Sequence, residues 1–353
     1  MSYLINWWNS VDRVNFTLIL SLGITGLILS FSINENFSIN RHAIFFIFSF
    51  FLLFILADLN DKNVRRISLL LFIILITIMI LIIFFDYEVK GAKRWFQIFN
   101  FTIQPSEIIK PIFIVLTAWC ISKSIEEKKF YLSILFIFFI LLLVLILMQP
   151  DLGMTILVSA TFFCQLFVAG LSILLVLLAL LFIILISIFS YIAFDHVQSR
   201  INSFLGGIGG SDTYQIDLSL KAFKNGGLLG KGPGQGILKE RIPDANTDFI
   251  FAVAGEELGL IFCLIIICII LSIIIRTLLK VLKFEDPYKI IAISGLICSF
   301  GFQCSINIFS SLGLIPTKGM TLPFVSYGGS SMISISILFG FLLSLTNKKN
   351  DNL

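Results

Sequence analysis

Five carboxylates lie between Lys239 and Gly259, in the stretch KERIPDANTDFIFAVAGEELG, within a chain that is 58% hydrophobic and only 13% charged. Carboxylates grouped in this way serve as proton acceptors or hold a cation. Glu240 and Asp248 are eight residues apart with Pro243 between them, so they occupy irregular chain and converge only if that chain folds back. Asp248 precedes an apolar run, where a negative charge at a helix N-terminus, worth about 0.5 kcal/mol, competes with a chemical role. Glu256 and Glu257 sit too far inside the run for capping. They are expected to reach Lys110, Arg200 or a loop amide and to help outline one wet cavity.

Three further groups place polar chemistry among apolar residues. The stretch GAKRWFQIFNFTIQPSEIIKP puts Lys93, Arg94 and Trp95 in a loop, followed by Gln104, Ser106, Glu107 and Lys110 at a helix start. Glu107 and Lys110 are three apart and share a helical face, so they neutralise one another either as an internal ion pair or beside a substrate. In MQPDLGMT, Pro150 and Gly153 make a turn and Asp151 is best placed as a helix N-cap. In LIPTKGMTLPFVSYGGSS, Ser326, Ser330 and Ser331 precede a last apolar run. Backbone amides there suit a phosphate, and helix capping uses the same residues. Ionisable groups at membrane depth cost about 3 kcal/mol each at a helix centre, so each carries a functional hypothesis.

The elements that hold these residues are helices in a membrane. The chain has 353 residues, 38 of them Phe, and a mean hydropathy of +1.03. No soluble core of this length hides that much apolar surface. Runs long enough to cross about 30 Å of hydrocarbon begin near Asn15, Ala43, Ile67, Pro105, Phe130, Met154, Leu171, Asp248, Tyr288 and Leu322. The expectation is an all-α integral membrane protein of about ten transmembrane helices, forming a single polytopic domain over residues 1–353. Lys and Arg are concentrated in the loops around Lys62, Lys123, Arg276 and Lys348, against few in the opposite short loops, which puts both termini in the cytoplasm. The long segment 195–247 is then extracytoplasmic. Within it TYQIDLSLKAF, with Ile216, Leu220 and Phe223 at helical spacing, reads as an amphipathic helix on or dipping into the membrane surface.

Trp7 and Trp8 read as interfacial anchors, and His42 and His196 as solvated surface groups. The six cysteines fall inside predicted spans at no metal-ligand spacing and read as packing residues. NGGLLGKGPGQG superficially suggests a nucleotide-binding P-loop, but Asn225 stands at its first glycine position and Gly232 where Ser or Thr is required. The net charge of +4 gives no reason to expect a nucleic-acid partner.

The ordered motifs GAKRWFQ with QPSEIIK, QPDLG, TYQ with GGLLGKGPGQG, IPDANTDFIFAVAGEELG and GLIPTKGMTLPFVSYGGSS resemble those of the SEDS family, the shape, elongation, division and sporulation proteins. The resemblance covers all ten predicted spans. AVAGEELG and Lys318 are more similar to the division branch than to the elongation branch. Asn246 stands where the family commonly has His, Asp244 where Glu is common, and His196 where Arg is common. LGGIGGSD replaces a proline-containing segment before TYQ.

The resemblance implies a peptidoglycan glycosyltransferase. Its substrate would be lipid II, the undecaprenyl-pyrophosphate-linked disaccharide-pentapeptide, polymerised on the outer face of the bacterial cytoplasmic (inner) membrane, at the septum for a division protein. The family's essential acid maps onto Asp248, its second loop acid onto Glu240 and its loop tryptophan onto Trp95. A class B penicillin-binding protein transpeptidase and other divisome membrane proteins are the implied partners. The reaction calls for a carboxylate to take a sugar hydroxyl proton, the part given to Asp248 with Glu240 in support, and for cations to face the leaving pyrophosphate. Lys93, Arg94, Lys110, Arg200 and Lys231 are candidates for the second task, as is a divalent metal, Mg or Mn, with Asp248 as its possible ligand. No organic cofactor is expected. Trp95 is placed to stack on sugar. Gln104, Ser106, Glu107, Gln215, Glu257, Ser326 and Ser330 complete the candidate substrate site. A lipid II flippase and an elongation-type polymerase are the competing readings, and a non-catalytic scaffold is a third.

Overall fold

The computed structural model describes residues 2–33, 36–84, 94–98, 101–126, 130–195, 197–198, 202, 211–317 and 319–347. Expectations for Lys93, His196, Arg200 and Lys318 concern residues outside these. The described chain runs through helices α1 (Ser2–Ser10), α2 (Arg13–Ser32), α3 (Asn36–Leu56) and α4 (Asp61–Phe84), then strands β1 (Phe96–Ile98) and β2 (Phe101–Ile103). Helices α5 (Pro105–Glu126), α6 (Phe130–Met148), α7 (Leu152–Val168), α8 (Ile173–Ala193), α9 (Ser211–Gly226), α10 (Ile250–Val281), α11 (Pro287–Ser311) and α12 (Gly329–Leu345) follow. Six of them, α2, α4, α5, α6, α10 and α11, are long and apolar enough to cross a membrane, and α3, α7, α8 and α12 contain shorter apolar helical stretches.

Burial sorts the helices. Those with small and polar residues on several faces, α5, α11 and α12, form the centre and pack on one another, while the Leu/Ile/Phe helices α6 and α8 lie at the periphery with their apolar faces open. This inverts the rule for soluble proteins, because lipid accepts Leu readily and close helix packing favours small side chains. Phe139 and Phe162 stack at 4.0 Å where α6 meets α7.

Three local expectations are corrected. Trp7 is not an interfacial anchor: the chain bends after α1 and buries its ring against Phe16 and Phe54, leaving Trp8 exposed. His42 is fully buried, its Nδ1 2.6 Å from the Ser30 hydroxyl. The last helix begins at Gly329 rather than near Leu322, because residues 319–328 run as irregular chain with Phe324 at φ 61°. Irregular backbone within a membrane survives only where protein covers it. Here α2 does so, and a Cβ at Gly26 would stand 2.5 Å from the Val325 carbonyl.

At the end of the bundle where α2, α4 and α11 begin, Asp12 caps α2 by accepting from the Val14 and Asn15 amides. It also pairs with Lys280 at 2.7 Å and Arg276 at 3.4 Å on the last turns of α10. Burial opposes its ionisation, but the Lys280 hydrogen bond and charge, with the Asn15 amide and Arg276, outweigh it and hold the carboxyl below its usual range. A depressed folded pKa stabilises the fold above the unfolded pKa, near 4, and loses that contribution as pH falls through the folded value. Asp12→Asn is therefore expected to cost about 1–2 kcal/mol at pH 7 through the lost cap and charge. In thermal melts the gap to wild type narrows as pH falls below about 4.

Candidate functional site

Asp248 is held at the junction of two irregular segments, just before α10. Asp244 enters the left-handed region at φ 56°, which Asp tolerates better than most residues. Its carbonyl accepts from the Thr247 and Asp248 amides, each at 3.0 Å. The resulting turn delivers the chain to Phe249, the cap residue of α10, so Asp248 lies just before the cap. Asn307 of α11 donates to the Asp248 carbonyl at 2.9 Å and to the Met320 carbonyl at 2.6 Å. Ser326 accepts from the Leu322 amide at 2.8 Å and donates to the Thr247 carbonyl, and the Tyr327 amide donates to the Asn246 carbonyl at 2.9 Å. The 244–249 and 319–328 segments are thus fastened together at three points. Asp248 is half-buried there, with Oδ2 3.7 Å from where a Cβ on Gly319 would stand.

The start of α5 contributes a buried polar chain. Lys110 donates to Glu107 at 2.6 Å and to Gln303 of α11 at 2.8 Å, and Gln303 donates to the Thr321 carbonyl at 3.1 Å. Pro111 has no N–H to offer the carbonyl four residues earlier, and Ser334 of α12 fills that vacancy by donating to the Glu107 carbonyl at 2.6 Å. Glu107 and Lys110 therefore form an internal ion pair that binds α5 to its neighbours. Thr321 and Ser331 share a hydrogen bond that returns the chain to the 319–328 segment.

A second cluster lies beside it. Asp151 caps α7 through the Met154 amide at 3.1 Å, pairs with Arg94 at 3.5 Å and accepts from Gln104 at 3.4 Å. Arg94 also donates to the Gln149 carbonyl at 2.6 Å and to the Pro150 carbonyl. Gln104 donates through its side chain to Ser106 at 3.1 Å and through its backbone to Ser330 at 2.8 Å. The antiparallel hairpin of β1 and β2, with Gln97 opposite Thr102, leads into this cluster. Trp95, half-buried, stands immediately before it.

The third feature is a break in α10. Gly259 has φ 78° and ψ 179°, and the helix changes course there. Four backbone groups lose their helical partners and find them in the 227–232 loop. The Lys231 and Gly232 amides donate to the Glu256 and Glu257 carbonyls, while the Leu260 and Ile261 amides donate to the Gly227 and Leu228 carbonyls, at 2.9–3.3 Å. The glycines of NGGLLGKG thus admit a loop to a broken helix. A Cβ at Gly259 would stand 2.4 Å from the Gly230 amide nitrogen.

A family model described as cell cycle protein, for FtsW, RodA and SpoVE, matches residues 7–351. The chain belongs to the FtsW/RodA/SpoVE family. The probable peptidoglycan glycosyltransferase FtsW of Caulobacter vibrioides is 41% identical over 272 residues, which is 76% of this chain and 69% of that protein. The Idiomarina loihiensis protein of the same description is 33% identical over 377 residues, covering 98% of this chain and 91% of that protein. Among solved structures, one from a peptidoglycan synthase complex of polymerization and crosslinking matches with a TM-score of 0.82 at 22% identity, over 96% of this chain and 98% of that one. Thermus thermophilus RodA matches with a TM-score of 0.71 at 22% identity, over 96% and 97%. At that identity the two structures speak for the fold, which is that of a multi-pass membrane protein.

In this FtsW/RodA/SpoVE chain the predicted site residues divide. Asp248 and Ser326 meet at one junction, and Arg94, Gln104, Ser106 and Ser330 meet at another. Glu240 is exposed on a separate 3-10 turn, Leu238–Glu240. Gln215 is half-buried on α9, and Lys231 is exposed, its backbone being what the α10 break uses. Helix α9 presents Ile216, Ser219 and Ala222 inward and leaves Leu220 exposed, with Ser219 donating to the Ser311 carbonyl of α11 at 2.6 Å. Glu256 and Glu257 both reach loop amides, Glu257 that of Gly234 at 3.2 Å, and Glu257 also pairs with Lys239 at 2.7 Å. Both carboxylates are fully buried and line no wet cavity. Sequence reading missed Lys239, Asn307 and Gln303. A Lys on a long loop and two amides inside an apolar helix carry no spacing signal. Among the described residues no three His, Cys, Asp or Glu side chains are grouped to hold a metal by themselves. A hard divalent cation that also takes phosphate oxygens needs only one or two carboxylates, which Asp248 meets.

Proposed function

We propose that this chain polymerises lipid II into glycan strands on the outer face of the bacterial inner membrane during cell division. The observation that carries the reading is Asp248, placed outside any helix, pinned through its backbone by Asn307 and facing Gly319, in a protein whose relatives are named peptidoglycan glycosyltransferases. In this reading the ten apolar helices all span the membrane with both termini inside, and the Asp248 end faces outward. Septal placement follows the relatives' FtsW names.

A sugar 4-hydroxyl attacks an anomeric carbon whose leaving group is a pyrophosphate. Asp248 accepts the hydroxyl proton as the new bond forms, so the nucleophile gains charge only as it is used. Direct displacement inverts the α-linked donor to a β-linked product. The leaving group needs charge neutralisation rather than a proton, and a Mg or Mn ion held by Asp248 would supply that when bound. Lys93, Arg200 and Lys231 are the basic residues left for the same task, since Lys110 and Arg94 are engaged inside the protein. Trp95 offers a ring face to sugar. The polar head group reacts at the water boundary while the lipid tails stay in the bilayer. A class B penicillin-binding protein transpeptidase cross-links the emerging strand, beside other divisome proteins.

The test is polymerisation of fluorescent lipid II by purified protein with its cognate transpeptidase. Ladders of β-linked glycan are expected. Their absence with an active partner present, or an α-linked polymer, overturns the reading, and lipid II crossing vesicles without polymer would mark a flippase.

A further inference from the structure

The turn that carries Glu240 is fastened to α10 by buried carboxylates to which the reaction above gives no part. Glu256 is 0% exposed. Its carboxylate accepts from the Asn225 side chain at 2.8 Å and from the Ile237 and Leu238 amides at 3.1 Å each. Those two amides open the 3-10 turn Leu238–Glu240. On the next residue, Glu257 receives Lys239 at 2.7 Å, and the same ammonium donates to the Ser32 carbonyl at 2.6 Å and the Gly234 carbonyl at 3.0 Å. Glu240 is therefore exposed itself but follows two residues held from inside the protein.

Burying a carboxylate is costly unless its lone pairs are satisfied, and a Leu would fill the space without that cost. Glu256 lies six residues into α10, too deep to cap it. What the carboxylate supplies is geometry: Oε1 accepts from Asn225, Ile237 and Leu238 and Oε2 shares the Leu238 amide, so one side chain on a rigid element joins two separate chain segments. That element is the first part of α10, from Ile250 to the break at Gly259, and Asp248 precedes it by a single cap residue.

We infer that Glu256 is a positioning residue: by holding the Leu238–Glu240 turn to the first segment of α10, it sets where Glu240 stands relative to Asp248 during glycosyl transfer. The inference rests on the polymerase reading and on the supporting part that the family resemblance implies for Glu240. Glu256→Gln keeps the shape but removes the charge from the acceptor of both amides and sets an NH2 group against the Leu238 N–H in place of Oε2. Glu256→Asp keeps the charge and withdraws it by one methylene, and serves if the Gln variant does not accumulate.

The experiment is a double-mutant cycle in full-length protein with its transpeptidase and lipid II, reading kcat and KM for wild type, Glu256→Gln, Glu240→Ala and the double variant. Hydrogen exchange is followed over residues 234–242 and 250–258. Glu256→Gln is expected to lower kcat roughly tenfold or more through misplacement, with KM within about twofold. In the Glu240→Ala background it adds less than about twofold, because residues acting as a unit are not additive. Exchange at Ile237 and Leu238 accelerates while 250–258 is unchanged. Equal losses in both backgrounds, or unchanged exchange at 237–238, overturn the inference. Inactive wild type counts against the polymerase reading alone, and the exchange comparison still decides whether Glu256 holds the turn.

Discussion

Asp248→Asn is expected to lower the initial rate of glycan polymerisation by about 10²–10⁴-fold, the range of a positioned general base, with little change in thermal midpoint. The substitution is nearly isosteric, and the backbone bonds that hold this position do not depend on the carboxylate. Its amide donates to the Asp244 carbonyl and its carbonyl accepts from Asn307, and Asn preserves both. What Asn cannot do is accept a proton from a sugar hydroxyl or hold a cation tightly. Rates are compared at equal protein and partner concentrations with substrate saturating. A loss of only a few-fold, with the fold intact, would move the base elsewhere. Glu240→Gln, on an exposed turn, is expected to cost less.

Lys239→Met is expected to destabilise the protein by about 3–5 kcal/mol, the range for removing one partner of a buried ion pair. Lys239 is 4% exposed and Glu257 1%. Beyond Glu257 the ammonium serves the Ser32 and Gly234 carbonyls and the Ser32 hydroxyl, so one side chain joins α2, the loop and α10. Its loss strands Glu257, which keeps only Ser32 and the Gly234 amide. Adding Glu257→Leu to the variant is expected to restore much of the loss, because two apolar groups of similar volume replace an uncompensated charge. Denaturation in detergent reads the cycle, and a single variant as stable as wild type would show that Glu257 is solvated after all.

The sequence was most legible where an interaction lies within one element. The Glu107–Lys110 pair and the Asp151 cap follow from spacing along a helix, and both form. The helix over residues 211–226 follows from periodicity, but the stripe of Ile216, Leu220 and Phe223 that periodicity assigns to the membrane surface divides, with Ile216 buried and Leu220 exposed, because period alone cannot tell lipid from protein. What was illegible depends on chain returning from far away. Lys239 meets Ser32 across 207 residues, and Asn307 meets Asp248 across 59. The strands are three residues each, too short for alternation to register. Residue type alone suggests an interfacial Trp7 and a solvated His42, but their neighbours bury both.

The break in α10 bears on the order in which the chain is built. A helix interrupted at Gly259 cannot enter hydrocarbon alone, because four backbone groups would then lack partners, each at a cost of several kcal/mol. Their partners lie in residues 227–232, and that loop precedes α10 in the chain. During synthesis from the N-terminus, the loop is already made when the broken helix emerges, and the helix completes itself against it. The loop's length is thereby fixed at both ends: it is a surface connection by position, yet it serves as the missing rungs of its own successor.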